Sequence, residues 1–403
     1  MFLPIEDPVE RFCGFGPSRL AFGREPAAVA VDLAADDSAS RQLIRKRCPE
    51  EPGVYGMIDP DGKLIYVGKS KSLRGRLVSY LTGSSLDRKA RRIITCTRRI
   101  VWEPAPHEFT ALLRELELIR RFRPRFNVRG RPGRGRRAYL ALGHGPAPHA
   151  YLTEKGAKQD RLLVGPLWPG RELRRMVRAV NDCFRLRDCP GRIALAFSEQ
   201  REMFARRPAA GCMRHELGTC PGPCTASCSA RTYSEHVRQA CAFLGGTDLA
   251  VLNRLERAMR AAAAEERFEC AATLRDQWHD LAELHALLDR VRTVERTYSF
   301  VYPVPSYRHG QTWFLIHRGQ VVHSVAAPST SRSGRHATEA LNRAYPAGPV
   351  RIDQTPPDDP DLILLVSLWF RSHPEELVQT LSPESARGIA SEHQRLNQRP
   401  AKV

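Results

Sequence analysis

Between Gly53 and Asn127 the sequence holds three phenols, Tyr55, Tyr66 and Tyr80, and, among its cations and carboxylates, Lys69, Arg76 and Glu115. Hydrolysing a phosphodiester requires charge neutralisation on the phosphate, an activated water and help for the leaving oxygen. Glu115 lies in an amphipathic helical stretch whose apolar set includes Leu112, Leu113, Leu116, Ile119 and Phe122. A carboxylate placed there can hold one divalent cation. Downstream, Cys189, Cys212, Cys220, Cys224 and Cys228 bunch together among the 11 cysteines of the chain, which suggests metal ligation over disulfides. Four thiolates suit a [4Fe–4S] cluster or a tetrahedral zinc, and spacing alone does not separate the two. Pro221-Gly222-Pro223 forms a tight loop of the kind that presents ligands.

These groups need elements to position them. GVYGMID and KLIYVG are short runs rich in Val, Ile and Tyr, separated by Pro60-Asp61-Gly62, and read as a β-hairpin. Ser72 can cap the helix LRGRLVSYL, and a second helical stretch covers about 87–95. A strand near 98–103 and a helix over 108–122 complete a β-β-α-α-β-α domain spanning 50–130. Residues 1–49 read as an irregular extension ending in a short helix near 40–47, with no assigned function. Residues 131–230 hold a basic Arg/Gly/Pro linker, short strands, a helix over 172–184 and the cysteine segment; residues 231–295 read as helical. From 297 to 403 the composition turns β-rich and then helical, a small α+β domain of unassigned role. The fold class expected is α+β multidomain, with a small β-β-α-α-β-α domain, a Cys-rich metal-binding segment, a helical hairpin and the carboxy-terminal domain.

Gly53-Val54-Tyr55 followed by Tyr66-Val67-Gly68 resembles the paired signature of the GIY-YIG nucleases. The sequel, KSKSLRGRL, then Ser79-Tyr80, then ALLRELELIRRFRPRFN ending at Asn127, is similar to the UvrC form of that family, in the same order and at compatible spacing. The resemblance implies that Glu115 ligates one Mg2+ or Mn2+ and that Tyr66 helps to deprotonate the water. An ordinary tyrosine titrates near 10 and is a poor base at neutral pH. Lys69, close by in the sequence, supplies a charge of the sign needed to lower it. Arg76 would grip the scissile phosphate as a planar fork. Tyr55 and Tyr80 would position water and phosphate, and Asn127 would hold the local geometry by hydrogen bonds. Lys71, Arg74, Arg120, Arg121, Arg123 and Arg125 are candidate DNA contacts. The basic run from Arg120 to Arg137 can neutralise phosphates without reading sequence.

Cys212-x7-Cys220-x3-Cys224, with Cys189 upstream, resembles the Cys-rich segment of UvrC proteins. That resemblance implies an iron–sulfur cluster, preferred here over Zn2+, with Cys228 or Cys183 as substitutes for Cys189. Residues 266–277 resemble the UVR motif, through which UvrC meets UvrB. Phe268, Ala271, Ala272 and Leu274 would form its apolar seam, with Glu269, Arg275 and Asp276 at the rim. The resemblance covers about 50–290. The ribonuclease-H-like nuclease and helix-hairpin-helix unit of full-length UvrC are not visible in the sequence, a point of similarity to Cho-type homologues.

The whole-chain balance agrees with a polyanionic partner: Lys plus Arg number 63 against 44 Asp plus Glu, a net charge of +19. No long apolar run reads as a membrane span, and the start does not read as a secretory signal, so a cytoplasmic location is expected. The leading expectation is an excision-repair endonuclease that nicks damaged double-stranded DNA once, on the 3′ side of the lesion. The alternatives are a GIY-YIG nuclease of recombination or mobile DNA, and a catalytically silent UvrB-binding adaptor.

Overall fold

The computed structural model describes residues 12–18, 28–33, 37–82, 88–127, 137–154, 160–189, 193–200, 212–307, 310–346 and 359–396. Arg129, Arg131, Arg134 and Arg136 of the basic tract lie outside the described residues, as do Asp353 and Asp358. Contacts divide the chain into two compact units, one of residues 1–135, 297–349 and 361–403, the other of residues 136–296 and 350–360. Among the described residues no helix is long and apolar enough to cross a membrane.

In the first unit, strands β1 (Val29–Asp32), β2 (Gly53–Ile58), β3 (Leu64–Ser70) and β4 (Arg99–Pro104) form an antiparallel sheet of order β1-β4-β2-β3. The β2–β3 hairpin closes where Asp59 accepts a 2.9 Å bond from the Lys63 amide and Gly62 takes φ 78°. All six residues of β2 are buried, because both faces of the sheet are covered. Strand β1 was not anticipated within the extension. Its four residues are too few to display an alternation, and it is held by pairing with β4 and by the Arg99–Asp32 ion pair at 2.7 Å.

Helices α1 (Asp37–Arg47), α2 (Leu73–Thr82) and α3 (Arg88–Thr95) cover one face. Ile44, Leu73, Leu77, Tyr80 and Ile93 pack there against Tyr55, Met57, Ile65, Ile100 and Trp102. Helix α4 (Glu108–Phe122) covers the other, setting Ala111, Leu118, Ile119 and Phe122 against Val54, Leu64, Val67 and Val101. His107 caps α4 by accepting from the Phe109 amide at 3.2 Å, and Arg123 ends it in the left-handed region at φ 46°.

The carboxy-terminal strands β8 (Phe300–Pro305), β9 (Gln311–His317) and β10 (Gln320–Ala326) form a second antiparallel sheet, order β10-β9-β8. Helices α10 (Ser331–Ala344) and α12 (Pro383–Leu396) pack on one face, through Ala337, Leu341, Ala386 and Ala390. The other face meets α11 (Pro360–Ser372) and α4: Phe109, Leu113 and Leu116 share a core with Tyr302, Phe314, Trp369 and Phe370. Helix α4 is therefore apolar on two sides. Between them run buried charges, with Arg114 paired to Glu103 at 3.1 Å and to Glu117 at 2.8 Å, and donating also to the Gly16 carbonyl.

In the second unit β5 (Ala138–Leu142), β6 (Ala150–Thr153) and β7 (Leu162–Leu167) form an antiparallel sheet of order β6-β5-β7. Helices α5 (Arg171–Cys183), α6 (Met213–Glu216), α7 (Ala230–Gly245), α8 (Ala250–Ala264) and α9 (Phe268–Thr297) follow. Leu140, Val180, Tyr233, Phe243, Leu281 and Leu284 belong to its core.

Candidate active site

Strand β3 sits at the edge of the first sheet, and the segment after α4 folds back over it. The Phe126 amide bonds the Ile65 carbonyl at 3.0 Å, and the buried Asn127 side chain accepts from the Val67 amide at 2.9 Å and donates to the Val67 carbonyl at 2.8 Å. An edge strand otherwise open to slippage is thereby pinned at the position between Tyr66 and Gly68. Gly68 lies opposite Tyr55 in the hairpin, where a Cβ would stand 2.6 Å from the Tyr55 ring. Only glycine leaves room for that phenol.

Tyr55 and Tyr80, both buried, bring their hydroxyls to 3.2 Å of one another. Arg76, exposed on α2, donates from Nε to Tyr55 and from Nη2 to Tyr80, each at 3.3 Å, and lies 4.8 Å over the Tyr80 ring. The guanidinium plane is thus fixed by the phenols while its remaining donors stay free of the core. Tyr66, half-buried, stands with its ring centre 6.1 Å from that of Tyr55. Burial, reinforced by Tyr80 and Glu115, raises the Tyr66 phenol well above its ordinary value.

Lys69 does not oppose this, contrary to the expectation from sequence. Strand β3 continues through both residues, and positions three apart on a strand face opposite sides of the sheet. Lys69 instead meets α4, where its charge and its backbone amide both act on Glu115 to favour the ionised form. Burial outweighs them and pushes the Glu115 carboxyl up to about 7. Its oxygen donors are of the hard type that Mg2+ prefers. Among the described residues no group of three or more His, Cys, Asp or Glu gathers as an ion site. A cation bound here would take Glu115 as its protein ligand and complete its shell with water and phosphate, in the manner usual for Mg2+.

The candidate DNA contacts separate into two groups. Arg120 is a correction: its side chain is buried and paired with Asp361 at 2.8 Å, so phosphate cannot reach it without breaking a buried ion pair. Arg121 turns inward too, donating to the Phe15 carbonyl at 3.2 Å. Arg74 bonds the Cys48 carbonyl at 2.7 Å and Glu50 at 3.0 Å, which ties α2 to the end of α1. Lys71 is largely exposed, 3.2 Å from Glu108. Arg123 caps α4, and Arg125 is exposed, stacked 5.1 Å over the Phe126 ring.

Sequence reading gave α3 no role, yet Lys89 lies 5.9 Å over the Tyr66 ring and Arg92 lies 5.8 Å over Phe126. The available signal was RKARR, cations with no acid among them.

Cys189, Cys212, Cys220 and Cys224 are neighbours close enough to act on one another electrostatically, but no three of them stand where they could share an ion. In the metal-free protein, burial raises the Cys220 and Cys224 thiols and pushes Cys228 up to about 11. The arrangement therefore does not fit a cluster as it stands. In the helical hairpin Phe268 is 68% exposed at the start of α9, and Arg275 pairs with Asp276 at 2.8 Å on the surface, with Glu269 also exposed.

Residues 51–128 match the family described as UvrC-like GIY-YIG domain, residues 138–243 the UvrC/Cho excinuclease middle domain, and residues 250–277 the UvrB/uvrC motif. The chain is 32% identical over 265 residues to UvrABC system protein C of Chelativorans sp., covering 66% of this chain and 38% of that protein. It is 33% identical over 301 residues to the protein of the same name from Nitrobacter winogradskyi, covering 71% and 41%. The chain thus spans about two fifths of the length of these relatives. Among solved structures, the GIY-YIG N-terminal endonuclease domain of UvrC from Thermotoga maritima, bound to magnesium, is 38% identical, covering 22% of this chain and 98% of that one, with a TM-score of 0.20.

Proposed function

We propose that this chain, which carries a UvrC-like GIY-YIG domain, a UvrC/Cho-type middle domain and a UvrB/uvrC motif in that order, is a metal-dependent endonuclease of excision repair. The observation that carries the reading is the gathering of Tyr55, Tyr66, Tyr80 and Arg76 on one side of the hairpin, with Glu115 and Lys69 meeting at the end of the same strand. Arg76 presents a fixed guanidinium that can take a phosphate oxygen as a fork. Tyr55 and Tyr80 set its plane. Tyr66 is neutral in the protein alone, so its hydroxyl can orient the attacking water; it could take the water's proton only as the phenolate, after its own proton had left to solvent, a form that a bound cation would favour. Glu115 would hold a divalent cation, Mg2+ or Mn2+, which when bound neutralises phosphate charge and helps the leaving oxygen.

The UvrB/uvrC motif favours repair over mobile DNA, and we assign residues 266–277 as the contact for a UvrB-like protein. We assign one cut, on the 3′ side of a lesion in duplex DNA. Iron–sulfur or zinc ligation by Cys189, Cys212, Cys220 and Cys224 requires these thiols to draw together. Iron and zinc content after anaerobic purification tests it, and a protein free of both removes the assignment. The function itself is tested by incubating lesion-bearing duplex with the chain and Mg2+, with and without a UvrB-like partner. Cleavage that depends on Mg2+ and disappears in Glu115→Ala is expected. An E115A protein that cuts at the parent rate overturns the site.

A further inference from the structure

Helix α3 turns Ala90 and Ile93 into the core and leaves Arg88, Lys89, Arg91 and Arg92 exposed. None of these four forms an ion pair with an acid among the described residues. Lys89 and Arg92, one turn apart, point the same way. Lys89 reaches the ring of Tyr66 at 5.9 Å, and Arg92 covers Phe126 at 5.8 Å. Phe126 is also contacted by Arg125 at 5.1 Å. One half-buried ring, pinned by its amide to the edge of β3, thus holds two guanidiniums that converge on it from α3 and from the segment after α4. Guanidiniums stacked on an aromatic are ordered before any ligand arrives, which lowers the cost of binding.

We propose that Lys89, Arg92 and Arg125, braced by Phe126, form a ledge that binds the phosphodiester backbone of the nucleic-acid strand next to Tyr66. The inference rests on the endonuclease reading and names the surface on which its substrate lies. The contacts are charges braced over a ring, with no arrangement for reading base edges, so binding there is indifferent to sequence. The cationic row ends at the half-buried phenol, so a strand lying along it passes Tyr66.

The test uses the full chain in chelator, so that no cutting occurs, and a fluorescent duplex of arbitrary sequence. Affinity is measured between about 50 and 200 mM salt for the parent, for Lys89→Gln/Arg92→Gln, and for a control that removes the same charge elsewhere, Arg332→Gln/Arg335→Gln. The ledge predicts a loss of tenfold or more in affinity for the first variant and a salt slope shallower by about 2, one unit for each lost phosphate contact. The control should keep the parent slope, and Lys89→Arg/Arg92→Lys should restore most of the affinity. Unchanged affinity and slope in K89Q/R92Q, or an equal change in the control, overturns the ledge. So does a loss confined to the cutting rate at saturating DNA. If the parent binds with the expected slope but never cuts in Mg2+, the endonuclease reading fails while the ledge stands; if it cuts and the variant binds like the parent, the reverse holds.

Discussion

Glu115 lies where burial and a lysine pull in opposite directions, and burial wins, which makes the residue sensitive to pH near neutrality. Its folded pKa, about 7, lies above the ordinary carboxylate value of 4.5. The stability it contributes is therefore fully present below 4.5 and is lost as pH rises through 7, with an upper bound of about 3 kcal/mol. A divalent cation needs the ionised form, so its affinity should fall roughly tenfold per pH unit below 7. Calorimetric Mg2+ titrations at several pH values check this, and Glu115→Gln should abolish the binding while raising the thermal midpoint at pH 8 more than at pH 4.5. A flat pH dependence of Mg2+ affinity would remove the carboxylate from the ligand role. Lys69 illustrates what spacing conceals: three residues from Tyr66 in sequence, it serves a different partner because a strand alternates its faces.

At the scale of elements, the hairpin was legible because Pro60-Asp61-Gly62 separates two β-branched and aromatic runs, and α4 because its apolar residues recur at helical spacing. Strand β1 was not, since four residues carry no period and its partner β4 lies about seventy positions away. Arg120 was misread for a similar reason: nothing local shows that its counter-ion is Asp361. Within the hairpin, Gly68→Ala should cost about 1–3 kcal/mol by overpacking the Tyr55 ring and should also lower cutting by moving the phenol that orients Arg76. Chemical denaturation and a nicking rate measured on the same preparation check it, and a variant equal to the parent in both would show that the ring has room. On α9, Arg275→Glu places two acids side by side on an exposed surface that carries Phe268 nearby. Retention of a UvrB-like protein on a column bearing the variant should drop, while cutting of already melted DNA persists. Equal retention would assign the motif to internal packing.

For the whole molecule, the surplus of 19 positive charges would attract a polyanion such as DNA at long range, an effect that should weaken with salt. The second sheet belongs to the same compact unit as the first but carries different chemistry. From Arg296 through Thr338, which includes all of β8, β9 and β10, there is no Asp and no Glu. Asp361 is committed to Arg120. A second nuclease centre of the two-metal kind needs several carboxylates converging on its ions. An end-labelled lesion substrate should therefore show a 3′ nick alone, and a dual-incision product would contradict that.

Helix α4 has one long side against the first sheet and another against the second, with a buried ion pair at Arg120 and a capped start at His107. A helix seated this way has no direction in which to slide, roll or tilt without opening a cavity. In the proposed site Glu115 would then be the stationary jaw, with adjustment to a substrate left to the exposed Lys69 side chain. Substitutions in the carboxy-terminal sheet that loosen the seat, though far from the chemistry in sequence, would be felt as a misaligned jaw.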